Sequence, residues 1–243
     1  DDADTYVFKG GVIYRGSLVP GRAAQRGTAE NPVRLTWDPD WGQDRPMIYG
    51  SDVVKGWQKG SHPDIPDGSR VWKAELDYAP RGLWMVDADN VTRVKLARTP
   101  NWTESDPDNV MGEWWEWENP RWWTGEHKVK IGNNQQHLGI DTKNLTRDAD
   151  YYEGAYVWSE WGVVMGTPYA SKIQNYYPDQ RAVDVGGPWW HDTGQLRRGH
   201  RYYLEDKPHY LDEAGEFWFE KTGKGGTLYV RLPGDRSPEE VTV

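Results

Sequence analysis

The sequence of 243 residues contains no cysteine and no long apolar segment. Without cysteine, the chain has no disulfide framework, no thiolate zinc site and no cysteine nucleophile. No run approaches the roughly 18 consecutive apolar residues that a membrane-spanning helix needs, so the sequence predicts no membrane span. The sequence therefore excludes a disulfide-stabilised scaffold, a cysteine-ligated zinc site, a cysteine-dependent enzyme and a helical membrane protein.

Positive charge is also scarce. The 29 Lys and Arg residues are outnumbered by 38 Asp and Glu, which gives a formal net charge of −9 at pH 7. Nucleic-acid binding depends largely on neutralisation of phosphates by a basic surface, and Lys and Arg do not gather around the tryptophans that could stack on bases. The sequence therefore predicts that nucleic acid is not a partner.

Phenylalanine is nearly absent, although other aromatic residues are abundant: there are 3 Phe, 14 Tyr and 16 Trp. This aromatic content excludes a disordered chain, because disorder follows from too few large apolar side chains. An ordinary core has no reason to prefer indole to phenyl, since a buried indole N–H must find a hydrogen-bond partner. The excess of Trp therefore indicates that indole side chains have a role in this protein beyond filling an ordinary core.

The pattern of the sequence predicts an all-β fold. Helical periodicity is scarce, whereas short runs of β-branched and aromatic residues recur between Gly, Pro, Asn and Asp, as strands do between turns. These runs lie at 5–8, 12–14, 33–37, 47–49, 71–76, 83–86, 91–96, 127–131, 155–158, 162–165, 201–204, 215–219 and 227–232.

Three segments of the chain differ in strand length, glycine spacing and tryptophan density. In residues 1–68, short strands and glycines recur at roughly the 20–25-residue spacing of one coil of a parallel β-solenoid. Residues 69–198 have longer strands and denser tryptophan, which predicts an inserted antiparallel region resembling a β-sandwich. Residues 199–243 are expected to be return strands that lead toward a β-helical stack. Because a solenoid coil buries its inner face only against a neighbour, the first coils must be followed or capped.

Several segments form an ordered set of motifs: 27–35 (Gly-Thr-Ala-Glu-Asn-Pro-Val-Arg-Leu), 48–57 (Ile-Tyr-Gly-Ser-Asp-Val-Val-Lys-Gly-Trp), 97–101 (Ala-Arg-Thr-Pro-Asn), 202–205 (Tyr-Tyr-Leu-Glu), 211–218 (Leu-Asp-Glu-Ala-Gly-Glu-Phe-Trp) and 227–233 (Thr-Leu-Tyr-Val-Arg-Leu-Pro). As a set they resemble the N-terminal region of secreted right-handed parallel β-helix proteins that act on polysaccharides. The resemblance covers both ends of the chain and little of the Trp-rich middle.

In proteins of that kind, the long stack of coils that carries the catalytic cleft follows the last of these motifs. Here the chain ends about ten residues after it. The resemblance therefore implies either the N-terminal portion of a polysaccharide lyase or glycoside hydrolase, with a C-terminal β-helix domain as its partner, or a relative without the catalytic stack. No catalytic residue is carried over, because no catalytic motif of the family is present.

Paired tryptophans are the candidate carbohydrate contacts. Adjacent side chains of a strand face opposite sides, so Trp114 and Trp115 cannot both enter one core. Exposed indole planes stack on the C–H faces of sugar rings, whereas the alternative is that these residues cover a β core or pack on a neighbouring domain or chain. The candidates are Trp114, Trp115, Trp117, Trp122, Trp123, Trp189, Trp190 and His191.

Two groups of polar residues invite a catalytic interpretation. Glu216, with Asp212 and Glu213, lies in a family-like motif, where a role in stabilising a turn is favoured over catalysis. The His and Arg cluster from His191 to Arg201 could supply the base and the charge neutralisation of a uronate lyase, but a solvated basic turn is the favoured alternative. Sequence spacing cannot show the paired carboxylates that glycoside hydrolysis requires.

No cofactor is required by these motifs. The acidic runs at 106–109 and 148–150 could bind Ca²⁺ through hard oxygen ligands, although Asx turns explain both more simply. Three sequons place possible glycosylation at Asn90, Asn101 and Asn144, which would suit a secreted, extracellular glycoprotein.

Three functional hypotheses follow. The first is an extracellular carbohydrate-binding or polysaccharide-active β-helix protein, of which this chain is an N-terminal portion without the catalytic stack. The second is a structural subunit of an extracellular assembly that self-associates through exposed Trp faces and open β edges. The third is a complete enzyme that uses the carboxylates or the cluster at 191–201.

Overall fold

The computed structural model describes residues 5–16, 27–88, 90–102, 108–109, 111–119, 128–132, 134–161, 169–186 and 196–243. These residues form an all-β protein, which confirms the predicted class. Helix is limited among them to α1 (Ala149–Tyr152) and short 3-10 turns. None of the helices they form has the length and apolarity needed to cross a membrane. The chain divides into two compact units, Asp1–Val54 and Lys55–Val243, here called unit 1 and unit 2.

The described residues of unit 1 form four strands in two parallel pairs. β1 (Thr5–Gly10) pairs with β3 (Arg34–Gly42), and β2 (Ile13–Arg15) pairs with β4 (Met47–Tyr49). Each pair joins an earlier strand to one that follows a long connection, which parallel pairing requires. Because each pair is a separate two-stranded sheet among the described residues, both of its strands are edge strands.

The apolar side chains of unit 1 remain exposed. Tyr6 lies opposite Leu35 in the parallel register, and 53% and 57% of their surfaces are accessible. Trp41 and Ile13 are similarly open, at 48% and 53%. Among the described residues of this unit only Gly10 is buried. Unit 1 thus has apolar strands without a core of its own among these residues.

The part of unit 2 that the structure describes forms fifteen strands in three sheets. In chain order they are β5 (Gln58–Lys59), β6 (Trp72–Leu76), β7 (Leu83–Asp87), β8 (Asn90–Leu96), β9 (Arg98–Thr99), β10 (Trp115–Glu116), β11 (Lys128–Ile131), β12 (Asn134–Ile140), β13 (Tyr156–Ser159), β14 (Tyr169–Lys172), β15 (Tyr176–Tyr177), β16 (Ala182–Val185), β17 (Arg201–Glu205), β18 (Glu216–Thr222) and β19 (Gly225–Arg231).

The sheets of unit 2 are mostly antiparallel. Their orders are β5-β6-β19-β18-β8-β7, β10-β17-β13-β14 with β9 also on β17, and β11-β12-β16-β15. Parallel pairing among the described residues of this unit is limited to a two-residue contact of β8 with β18. The predicted right-handed parallel β-helix is therefore not confirmed, because strands distant in sequence return in antiparallel register rather than stacking coil on coil. Two of these sheets combine strands from the predicted segment 69–198 with strands from the predicted segment 199–243.

The core of unit 2 is built from tyrosine and tryptophan as well as aliphatic residues. Trp117 stacks on Tyr202 with ring centroids 3.4 Å apart and planes 4° apart. The indole Nε1 of Trp117 donates to Ser159 Oγ at 2.8 Å, and the Tyr202 hydroxyl donates to Asp141 Oδ2 at 2.7 Å. Because both polar groups have partners, these large rings can be fully buried.

Candidate functional site

A pocket of about 370 Å³ opens beside β8 in unit 2. This volume lies within the range of about 300–1,000 Å³ that is typical of small-molecule sites. One wall comes from β8, whose alternation turns Val91, Arg93 and Lys95 to the same face. The opposite wall comes from the turn that precedes β18. The main polar and aromatic residues of the lining are Arg93, Lys95, Trp102, Glu213 and Glu216.

Backbone hydrogen bonds lock the two walls together. The amide of Lys95 donates to the carbonyl of Gly215 at 2.8 Å, and that of Ala97 donates to Phe217 at 2.7 Å. The side-chain amide of Asn101 donates to Asp212 Oδ1 at 2.9 Å. The motif at 97–101 thus meets the motif at 211–218, so the pocket forms where two of the family-like segments join.

Glu216 is the buried carboxyl of this junction, with 3% of its surface exposed. Its two oxygens accept long hydrogen bonds, 3.4 Å each, from the backbone N–H groups of Arg98 and Glu213. Burial, reinforced by the negative charge of Asp212, raises the pKa of Glu216 to about 8. The carboxyl is therefore mostly protonated at neutral pH and can donate as well as accept a hydrogen bond. It closes the turn, as its position in the motif predicts.

Lys95 and Arg93 bring two cations to the pocket. Lys95 Nζ lies 4.6 Å from the centroid of the Trp102 ring and donates to the Trp102 carbonyl at 2.8 Å. Arg93 is exposed and makes no hydrogen bond or ion pair within the part of the chain that the structure describes. Burial raises the pKa of Glu205 and the nearby charge of Arg93 opposes this effect, but no described group holds the guanidinium by a hydrogen bond, which leaves its N–H groups for a ligand.

An aromatic layer around Arg98 lies next to the pocket. The guanidinium is 3.8 Å from the centroid of Tyr203 and 5.6 Å from that of Trp114, and its Nε donates to the carbonyl of Pro100 at 3.0 Å. Burial lowers the pKa of Arg98. Tyr203 also stacks on Trp158 at 6.2 Å. This aromatic layer covers the face of β17 that points away from the core. It also holds Arg98, the first residue of β9, in place.

Several buried polar atoms of this region have no hydrogen-bond partner among the described residues. They are Arg98 Nη2, Asn101 Oδ1, Trp102 Nε1 and Trp114 Nε1. Buried polar atoms are normally paired, and an unpaired group indicates water, an ion or a ligand. Such atoms also occur elsewhere, for example Trp161 Nε1 in the core cluster of Trp117, but four of them lie in this region.

The three described tryptophans of the predicted carbohydrate set lie on two faces of one sheet. Trp115 packs edge-on against Tyr202 on the core side, whereas Trp114 contacts Tyr203 on the other side. Both are half-buried. Trp117 is 1% exposed, so neither face of its ring is open to a sugar. Strand alternation separates Trp114 from Trp115, but protein covers much of both rings.

The remaining candidates, Trp122, Trp123, Trp189, Trp190 and His191, lie outside the described residues. The described part of the His and Arg cluster is structural. Arg201 Nη2 lies 3.0 Å from Glu160 Oε1 in a largely buried ion pair. His200 is buried, and its Nδ1 accepts from the amide of Arg197 at 3.2 Å.

The sequons and the acidic runs occupy different environments. Asn90 is exposed, whereas the side-chain amides of Asn101 and Asn144 donate to Asp212 and Asp141. Asp148 precedes α1, and the run at 106–109 is only partly described. Within the described segments, no group of three or more Asp, Glu or His residues is arranged to hold a metal ion.

Sequence reasoning singled out Glu213 and Glu216 but missed Arg93, Lys95 and Trp102, which line the same pocket. Trp102 is a single tryptophan within a sequon, so the criterion of paired tryptophans does not select it. The run at 91–96 is predicted to be a strand, and its alternation alone would have placed Arg93 and Lys95 on one face. The motif at 211–218 was visible in the sequence, but its contact with β8 was not, because the two segments are more than a hundred positions apart.

No protein-family model and no curated protein matches this sequence. A solved structure described as a glycoside hydrolase resembles it with a TM-score of 0.56 and 14% sequence identity. The match covers 100% of this chain and 37% of that chain, so the present chain spans little more than a third of its neighbour's length. At this identity the likeness concerns the fold alone.

Proposed function

We propose that the chain is the N-terminal portion of an extracellular polysaccharide-active protein, and that its own contribution is carbohydrate binding in the pocket beside β8. The observation that carries the proposal is the lining of that pocket, where one indole, two cations and two carboxyl groups converge in about 370 Å³. Few and convergent polar groups around an aromatic ring are typical of small-ligand sites. The fold likeness to a glycoside hydrolase supports a carbohydrate-related role.

The proposal assigns binding to these residues and leaves catalysis to a longer chain, as a lyase or a glycoside hydrolase. Glycoside hydrolysis needs a second carboxylate at a defined distance from a protonated one. Glu216 meets only the first requirement, since it is largely protonated but tied into its own turn. The half-buried Trp114 and Trp115 remain proposed additional contacts.

Affinity electrophoresis on neutral and uronate-rich polysaccharides tests the proposal. We expect at least one polysaccharide to retard the protein and Trp102→Ala to lose that retardation. Trp57→Ala is the control, because Trp57 is half-buried but lies outside the pocket. Free migration of the wild-type chain in every polysaccharide would refute carbohydrate binding.

We also propose that β1 to β4 are the first two coils of a parallel β-helix and that further coils cover their apolar side chains. Supporting this are the two parallel pairs and the exposure of Tyr6, Leu35 and Trp41. An exposed apolar surface of this kind marks an interaction site. Extension past Val243 should lower the binding of a hydrophobic dye, whereas concentration-dependent dimers in light scattering would favour the rival hypothesis of an assembly subunit.

A further inference from the structure

We infer that the pocket beside β8 binds a sugar residue that carries an anionic group, a carboxylate or a sulfate. This inference rests on the proposed carbohydrate binding and adds the chemical class of the sugar. The chain as a whole has a net charge of −9, so a site selective for anions must be built locally. The pocket has the residues for it.

The charges of the pocket are positive in balance. Arg93 and Lys95 lie two positions apart on β8 and therefore share a face. The opposite wall contributes the carboxylate of Glu213 and the carboxyl of Glu216, and burial keeps the latter mostly uncharged at neutral pH. Within the lining, two cations thus face one anion. Glu205, whose pKa burial raises, is a further carboxyl group that interacts with Arg93 from outside the lining.

The donors of the pocket suit an oxyanion bound to a ring. Arg93 has no hydrogen-bond partner among the described residues, and Lys95 Nζ donates to the Trp102 carbonyl, which leaves two of the three protons of its ammonium group for a ligand. Trp102 Nε1 is buried and unpaired within the described chain. The guanidinium and the ammonium can together satisfy an anionic oxygen and a neighbouring hydroxyl, while the indole N–H of Trp102, a lining residue, reports on the occupancy of the pocket.

A second indole extends this surface along the sheet. Trp84 on β7 lies directly opposite Arg93 in the antiparallel register, so their side chains share one face. The Trp84 side chain is 44% exposed, and its ring leans over Gly82. It therefore offers a flat platform for the sugar unit that follows the anionic one.

Titration of indole N–H signals in NMR spectra tests the inference. The ligands are trigalacturonate, the carboxyl-reduced trisaccharide of the same linkage and a sulfated galactan oligosaccharide, and Trp102→Phe assigns the Trp102 signal. We expect an anionic ligand to shift that signal, and Arg93→Gln to weaken the binding about tenfold or more, as loss of a charge-assisted hydrogen bond does. The matched control is Arg198→Gln, an exposed arginine outside the pocket.

The outcomes separate this inference from the proposed function. Stronger binding of either the uronate or the sulfated ligand supports the inference and names the anion. Equal binding of the neutral trisaccharide, unaffected by Arg93→Gln, would overturn it while carbohydrate binding stands. Failure of all three ligands, together with free migration in every polysaccharide, would overturn both. Trp84→Ala should weaken a hexasaccharide more than a trisaccharide, and equal effects on the two would remove Trp84 from the site.

Discussion

Glu216 is a single buried carboxyl whose protonation should be visible in the stability of the whole unit. Its pKa is about 8 in the folded chain against an ordinary 4.5. The folded state therefore holds a proton that the unfolded state releases, so this residue's contribution is complete below pH 4.5 and is lost as the pH rises through 8. Between these values the loss approaches about 1.4 kcal/mol per pH unit.

Glu216→Gln should remove this pH dependence. The free energy of unfolding of the wild type, measured with urea at pH 5, 6, 7 and 8, should fall relative to that of the variant as the pH rises. Groups such as Asp184 and Glu205, whose pKa values burial also raises, are common to both proteins and cancel in the difference. A constant difference across this range would contradict the buried, protonated state.

Two tryptophans with opposite exposure test how the protein uses indole. Trp117 is 1% exposed and Trp84 is 44% exposed. Trp117→Ala leaves a large cavity against Tyr202 and should cost about 3–5 kcal/mol of unfolding free energy in chemical denaturation. Trp84→Ala should cost less than about 1 kcal/mol, because its ring is already partly hydrated. Similar losses for the two variants would contradict the described core.

At the scale of single residues, composition indicates the importance of indole but not its placement. Strand alternation correctly separates Trp114 from Trp115. It cannot say that Trp117 enters the core, because that depends on Ser159 as a partner for its N–H and on Tyr202 as a stacking surface. Both come from other strands, and no local pattern contains them.

At the scale of elements, the hairpin of β18 and β19 depends on a glycine. A Cβ at Gly226 would overlap the carbonyl oxygen of Glu220, and the φ of this glycine is +156°. Gly226→Ala should therefore break the register near Thr222 and destabilise unit 2 by several kcal/mol, of order 3. Thermal unfolding monitored by circular dichroism measures the loss.

Gly223 is the matched control in the same hairpin. Its φ of +69° is left-handed, but a Cβ added to it would meet no atom within 4 Å among the described residues. Gly223→Ala should cost only the conformational penalty of about 1–2 kcal/mol. If Gly223→Ala were the more damaging of the two substitutions, the close approach at Gly226 would be refuted.

The positions of the strands were easier to predict from the sequence than the pairing between them. The runs at 71–76, 83–86, 91–96 and 227–232 overlap β6, β7, β8 and β19, because each carries the β-branched and aromatic residues that strands favour. Two-residue strands such as β5 and β9 have no such signal. The pairing of β6 with β19 is equally invisible, since it is decided by packing between distant segments. The contact of 213–216 with β8, which forms the pocket, could not be predicted for the same reason.

At the scale of the molecule, the apolar core belongs to one unit. Every buried hydrophobic residue among those described lies in Lys55–Val243. A chain of residues 55–243 alone should therefore unfold cooperatively, with a midpoint within about 5 °C of the whole chain, since a 1 kcal/mol change shifts Tm by about 2–4 °C at this size. Calorimetry of the two chains provides the measurement. A non-cooperative transition of the shorter chain would show that residues 1–54 are needed for the core.

The order β5-β6-β19-β18-β8-β7 also affects how the chain folds during synthesis. Leu76 pairs with Gly226 and Trp72 with Val230, so the middle of this sheet is missing until residues 216–231 have left the ribosome. Pairing over such separations closes slowly. In the interval the apolar side chains of β6, β7 and β8 stay uncovered, so we expect the nascent chain to be a substrate for chaperones and its yield to depend on the speed with which β18 and β19 are synthesised.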